Sequence, residues 1–288
     1  MIKLDRLGWA AGLSFRAYGL TIGVRTNTAA ILDRLIPHLP YGWEPSDSSK
    51  VDILFSRLVG HSTEHATPAS PVRRVGPAGK RRRFNLLYDG ILLASRTLDQ
   101  DELLERFESA IRLRVAENAK RKVFVHAGVV GWRGRAIVIP GRSFTGKTSL
   151  VAALVRAGAT YLSDEYAVFD RRGRVYPYLK PLSLRLGDDE KQTHVPVEEL
   201  GGIAATGPMP VGHIIATQFV DGGTWKPRVL TEGEAVLAML ANTVPARRDP
   251  VTVLDVLRRA TARSKTFKGR RGDADATAEA ILARIDGS

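Results

Sequence analysis

Apolar residues change their spacing several times along the chain, and each change predicts a different element. Residues 13–24 read as strand. Ile31, Leu32, Leu35 and Ile36 then fall at helical intervals, predicting a helix after Asn27 that ends within 37–45. A second strand over 51–58 precedes a Gly-, Pro-, Ser- and Arg-rich stretch, 61–83, with the composition of an exposed loop. Residues 84–88 and 91–95 flank Asp89-Gly90, a dipeptide that readily supplies the positive φ of a tight turn, so a β-hairpin is expected. Over 98–120, Leu104, Phe107, Ile111 and Val115 recur every three or four residues behind Asp101, Glu102 and Glu105, which suit the positive end of a helix dipole. That stretch predicts an amphipathic helix.

Two short apolar runs follow, 123–130 and 136–140, separated by the turn-like Trp132-Arg133-Gly134-Arg135; both read as buried strands. A helix from Lys147 should stop at Gly158. Segments 161–163, 167–169 and 182–185, with a turn at 171–173, are expected as strands of one sheet. The C-terminal part reads as helical. Thr231 with Glu234 forms a capping box, Asp249-Pro250 an N-cap and first-turn pair, and Asp273 caps a last helix. The fold class is α/β, with an N-terminal α/β domain over 1–121 (strands, hairpin, long helix) and a second domain over 122–288.

Composition narrows the chemistry. With 44% hydrophobic and 25% charged residues, the 288-residue chain has the balance of a folded protein rather than a disordered one. The absence of cysteine excludes disulfides, thiolate catalysis and cysteine-ligated metals. No apolar run reaches the length of a membrane span and the first residues lack a secretory core, so no membrane partner and a cytoplasmic location are expected. The formal charge of +13 attracts polyanions without choosing among them. Much of the excess lies in Arg73, Arg74, Lys80, Arg81, Arg82 and Arg83 and again between residues 247 and 271.

One segment carries specific chemistry. Gly141, Arg142, Ser143, Phe144, Thr145, Gly146, Lys147 and Thr148 fit the G-x-x-x-x-G-K-[ST] phosphate loop, placed after an apolar strand and before a helix whose first turn includes Ser149. In such a loop backbone N–H groups converge on an anion, the helix N-terminus adds partial positive charge, the lysine reaches the β/γ phosphates and the threonine hydroxyl can ligate Mg²⁺. ATP and Mg²⁺ are the implied ligands.

Phosphoryl transfer also needs a carboxylate for the metal and commonly another for the acceptor's proton. Asp164-Glu165 offers both at the end of a strand that, running parallel beside the loop strand, would deliver them to the phosphates. His126, in Phe124-Val125-His126-Ala127-Gly128, lies on a strand that can flank the loop; an isolated histidine in an apolar strand is also an ordinary core residue. His194 and His213 have no informative spacing. Lys180, Arg185 and Arg228 are weaker candidates for phosphate or acceptor contacts, set against a plain surface role.

The order His126-Ala127-Gly128, phosphate loop, Ser163-Asp164-Glu165 resembles the catalytic core of HPr kinase/phosphorylase, over roughly residues 122–186. The resemblance implies a P-loop kinase core of the HPr kinase/PEP carboxykinase type with a small N-terminal α/β unit and a helical C-terminus. It also implies serine phosphorylation, Asp164 as base, Glu165 as metal-side partner with Thr148, and a homo-oligomer. Phe144 stands where that family usually has Gly, and Glu165 replaces a second Asp. With Lys180-Pro181-Leu182-Ser183-Leu184-Arg185, the layout is more similar to the HPr-kinase-related proteins of peptide-modifying gene clusters, including lasso-peptide kinases.

The function expected is therefore an ATP-dependent kinase acting on a serine hydroxyl of a peptide or protein, with catalytic residues Asp164, Glu165, His126 and Lys147. A kinase of a small-molecule hydroxyl shares the same core chemistry, and a non-catalytic nucleotide-regulated binding module would bind ATP without transfer. Nucleic acid as main partner is disfavoured by the lack of helix-turn-helix, zinc-finger or aromatic RNA-binding signatures in a chain with 7% aromatic residues.

Overall fold

A computed structural model describes residues 3–61, 83–141, 146–185 and 192–287. The chain divides into two compact units, residues 1–120 and 121–288. Each is a mixed α/β unit. No helix among the described residues is long and apolar enough to cross a membrane.

In the first unit, strands β1 (Ala11–Ala17), β2 (Leu20–Thr26), β3 (Glu44–Ser46), β4 (Ile53–His61), β5 (Phe84–Asp89) and β6 (Leu92–Thr97) form one sheet in the order β3-β1-β2-β4-β5-β6. Only β2 and β4 of these neighbours run parallel. The single strand expected over 13–24 is two, because Tyr18 and Gly19 both adopt positive φ and fold the run into a hairpin. The helix expected after Asn27 shrinks to a single α turn, α1 (Leu32–Leu35), flanked by 3₁₀ turns, with Pro37 just behind it. The hairpin at Asp89-Gly90 forms, with Gly90 at φ 58°. Asp99 caps α2 (Gln100–Asn118) by accepting from the Asp101 and Glu102 N–H groups, and its Leu103, Phe107, Ile111 and Val115 are buried. Phe107 meets Phe55 of β4 edge-on at 5.6 Å. The loop expected over 61–83 lies, from residue 62 to 82, outside the described residues.

The second unit is built on β7 (Lys122–Trp132) and β8 (Arg135–Pro140), joined at Arg133-Gly134, both at positive φ. Helix α3 (Lys147–Arg156) follows, then β9 (Thr160–Ser163), β10 (Tyr166–Asp170) and β11 (Arg174–Tyr176). The small pair β12 (Leu182–Arg185) and β13 (Gln192–Val195) comes next, and then β14 (Met209–Phe219) and β15 (Arg228–Val229). Helices α4 (Glu232–Leu240) and α5 (Pro250–Thr261), strand β16 (Lys265–Arg271) and helix α6 (Ala274–Asp286) complete the unit. The main sheet runs β11-β10-β7-β8-β14-β16-β15, with β9 also on β7.

Three expectations need correcting. Residues 182–185 do not join the main sheet but pair with β13. The C-terminal part is not simply helical: β14 and β16 lie in the middle of the sheet, parallel to each other and β14 parallel to β8. The strand before Asp164 is not a parallel neighbour of the loop strand; β9 runs antiparallel to β7, which separates it from β8.

Alternation along β7 and β8 sends successive side chains to opposite faces of the sheet. Val123, Val125, Ala127, Val129, Ala136 and Val138 pack with Val253, Val256, Leu257 and Ala260 of α5. Val130, Ile137 and Ile139 pack with α3 and with Ala278, Ile281 and Leu282 of α6. Every residue of α3 from Leu150 to Val155 is buried. The helix stops at Gly158, φ 97°, where the N–H of Ala159 reaches the carbonyl of Leu154 and that of Gly158 the carbonyl of Val155. The caps read from Thr231/Glu234, Asp249 and Asp273 are all formed.

Candidate active site

Two consecutive residues of β7 hold the two halves of the site. The carbonyl of His126 accepts from the N–H of Gly141, the first residue after β8, and the N–H of Ala127 donates to the carbonyl of Glu165. The loop entrance and the acidic turn therefore hang from adjacent rungs of one strand. Arg142, Ser143, Phe144 and Thr145 lie outside the described residues. Gly146 closes the loop at φ 74° as N-cap of α3, a left-handed conformation that favours glycine. Lys147 is buried, Thr148 half-buried and Ser149 exposed on the first turn.

Ser163 shapes the acidic turn. Its Oγ accepts from the N–H groups of both Glu165 and Tyr166, at 3.1 and 3.0 Å, bending the chain between β9 and β10 so that Asp164 and Glu165 project from it. Asp164 is 4% exposed. Its Oδ2 accepts from the Thr148 hydroxyl at 3.2 Å and from the Ser183 N–H at 3.3 Å. Its Oδ1 lies 3.2 Å from the Tyr161 hydroxyl, whose one proton also points to the Lys180 carbonyl at 2.9 Å. The Glu165 side chain, 25% exposed, is more accessible, and Lys180 Nζ stands 3.2 Å from its Oε2.

The structure thus brings Lys147, Thr148, Asp164, Glu165 and Lys180 together. Burial pulls the Lys147 ammonium down to about 8, against the opposing pull of Asp164 and Glu165. Burial likewise lowers His126, which keeps the ring neutral near pH 7, while Glu165 pulls the other way; the ring lies against Tyr166, centroids 4.8 Å apart. His126 is thus within electrostatic reach of Glu165 and gives its backbone to both sides, its N–H donating to Asn242.

Other candidates fall elsewhere. Arg228 is exposed and paired with Glu234 at 2.8 Å, which ties it to the α4 cap. His213 stacks on Phe267, and the Arg185 side chain lies outside the described residues. His194, uninformative in sequence, meets the Ser183 hydroxyl at 3.4 Å.

Two residues have packing roles that a linear reading does not show, although Gly128 belongs to the His126-Ala127-Gly128 element. Gly128 faces α3: a Cβ there would meet Val151 Cγ2 at 2.5 Å, so only glycine lets the helix lie this close to β7. Arg271, at the end of β16 and 2% exposed, donates from Nη2 to the Gly146 carbonyl at 2.7 Å and from Nη1 to the Gly272 carbonyl at 3.1 Å, bracing the loop exit.

The donor set suits a hard cation held with phosphates. A threonine hydroxyl and a carboxylate converge from separate elements. Among the described residues no group of three or more His, Cys, Asp or Glu forms a protein-only metal site. Mg²⁺ is typically held in this way, by one or two protein oxygens with waters and phosphate oxygens completing the shell.

No protein-family model matches the sequence, and no curated protein matches it. Among solved structures the chain is similar to the Hpr(Ser) kinase/phosphatase from Coxiella burnetii, at 13% identity and a TM-score of 0.34, over 57% of this chain and 95% of that one.

Proposed function

We propose that the protein is an ATP- and Mg²⁺-dependent phosphotransferase acting on a serine hydroxyl of a peptide or protein. The observation that carries this reading is the 3.2 Å contact between Thr148 Oγ1 and Asp164 Oδ2, which sets an acidic turn against the first turn of the helix behind a phosphate-loop sequence. The N-terminus of α3 and the buried Lys147 receive the β/γ phosphates. Bound Mg²⁺ supplies charge neutralisation between those phosphates. Thr148 and Asp164 are the residues that would hold it.

Glu165 then takes the proton. It is the more exposed carboxylate, 25% against 2% for the Asp164 side chain, whose Oδ2 accepts from Thr148. The acceptor oxygen bonds to the γ-phosphorus, its proton passes to Glu165, and the bond to the β–γ bridging oxygen breaks with its electron pair leaving on ADP. This exchanges the roles that the family resemblance implies for the two carboxylates. His126 holds the loop entrance and neighbours Glu165 as a neutral ring. A carboxylate-bearing peptide is one of the polyanions that the net charge of +13 draws.

Mass spectrometry of serine-containing peptides incubated with protein, ATP and Mg²⁺ tests the reading by the gain of one phosphate. Glu165→Gln should lower transfer by about 10²–10⁴-fold while sparing ATP affinity. Asp164→Asn should lower transfer together with the response to Mg²⁺. Normal transfer by the Glu165 variant removes it from the base role. ATP binding by the wild type with no phosphate on any acceptor makes the protein a nucleotide-binding module instead.

A further inference from the structure

The acidic pair already carries a cation. Lys180 lies between β11 and β12, and its backbone is fixed from the core: the buried Tyr161 hydroxyl donates to its carbonyl at 2.9 Å, and the nearby Tyr178 N–H donates to the Leu162 carbonyl at 2.9 Å. From this anchored position Nζ reaches Glu165 Oε2 at 3.2 Å, Asp164 Oδ1 at 3.8 Å and Ser183 Oγ at 3.3 Å. The Lys180 side chain is 14% exposed, so these contacts are made largely out of water.

We propose that Lys180 is an internal counter-ion to Asp164 and Glu165 that opposes entry of a divalent metal beside Asp164, so that the site takes up metal together with nucleotide phosphates rather than metal alone. The proposal rests on the phosphotransferase reading of the same site. Two carboxylates face two ammonium groups, Lys180 in contact and Lys147 within electrostatic reach of both acids. Four such charges sum to zero. A bare divalent ion entering beside Asp164 leaves an excess of two positive charges in a poorly hydrated place, which is costly. Phosphates arriving with the ion cancel that excess, and the Lys180 ammonium can then turn from the carboxylates toward the incoming anion.

The competing account is that Lys180 only buttresses the turn, and the two differ in sign. A buttress, once removed, loosens the carboxylates and weakens metal binding. A competitor, once removed, strengthens it.

Titrating Mn²⁺ alone into the full chain, with the free ion followed by electron paramagnetic resonance, separates them. Lys180→Met should bind Mn²⁺ at least about tenfold more tightly than wild type, the floor set by one unit charge acting on a divalent ion across roughly 6 Å of water-like dielectric and exceeded where water is excluded. Lys180→Arg, which keeps the charge, should stay within about threefold of wild type. If the Met variant melts early, Lys180→Gln keeps a partner for Ser183 and should give the same tightening. Equal or weaker Mn²⁺ binding by a folded, uncharged variant overturns the proposal, even if the wild type transfers phosphate normally. Tighter binding by that variant, in a protein that never binds ATP, would sustain the competition and remove the phosphotransferase reading instead.

Discussion

The surface of α2 in the first unit and the acidic turn of the second treat charge in opposite ways. On α2 of the first unit, charges pair across the surface: Arg34 with Asp101 and Arg106 with Glu102, all four side chains at least 45% exposed. In the second unit Lys147, Asp164 and Arg271 lie inside, each exposed by 9% or less. Exposed pairs contribute little to stability, whereas buried charges cost free energy unless something answers them. Interior charge that converges on one turn therefore marks a place kept for chemistry, and surface charge does not. Arg57 shows that burial alone is not enough to mark such a place. It is fully buried in the first unit and donates to the Gln100 carbonyl at 3.4 Å, but Nε and Nη1 have no hydrogen-bond partner among the described residues.

This contrast can be broken most forcefully at Lys147. Lys147→Met should abolish phosphate transfer, by about 10³-fold or more, and weaken nucleotide binding, while the melting temperature shifts by only a few degrees because an apolar chain of similar length fills the space. The same residue sets a pH signature. With its ammonium lowered to about 8, Lys147 is charged below that pH and progressively neutral above it in the ligand-free protein. Affinity for a fluorescent ATP analogue should therefore fall as pH rises through about 8, and the Met variant should lose that dependence.

A smaller effect is expected from the packing that supports the site. Gly128→Ala puts a methyl group 2.5 Å from Val151 Cγ2, so β7 and α3 must part. Urea denaturation should show a loss of about 1–3 kcal/mol, with transfer reduced because α3 carries Lys147 and Thr148. The smallest effect belongs to the surface: Arg106→Ala should change stability by less than about 0.5 kcal/mol and leave nucleotide binding untouched. A large loss there would erase the distinction between the units.

Local features were legible because their causes are local. The Asp89-Gly90 hairpin, the acidic start of α2 at Asp101 and Glu102, the Thr231/Glu234 box and the stop at Gly158 each depend on residues within a few positions of one another. The strand before the phosphate loop and the helix after it are of the same kind. Pairings across long stretches of chain were not legible. Strand β16 reads Lys-Thr-Phe-Lys-Gly-Arg-Arg, a charged run in isolation, yet it is a central strand because β14, itself unmarked by alternation, lies beside it. Antiparallel delivery of Asp164 escaped notice for the same reason, since the partner of β9 is β7 rather than the loop strand. Lys180 is only a weaker candidate in sequence, and Arg271 is obscure, because a lysine before proline or an arginine in a basic tail looks like solvent-facing charge until the fold encloses it. Residues 164 and 165 stand out in sequence as a pair, but the Thr148 contact of Asp164 and its deeper burial distinguish them.

Because His126 and Ala127 are neighbours, the distance between the loop's entrance and the acidic turn is a single residue step along β7. Lengthening the β7–β8 hairpin by one residue would leave each half intact in itself but turn one of them toward the opposite face. The spacing of the loop entrance and the acidic turn is thus counted in residues of one strand rather than in the reach of side chains. A one-residue insertion or deletion between 126 and 141 should therefore break this alignment.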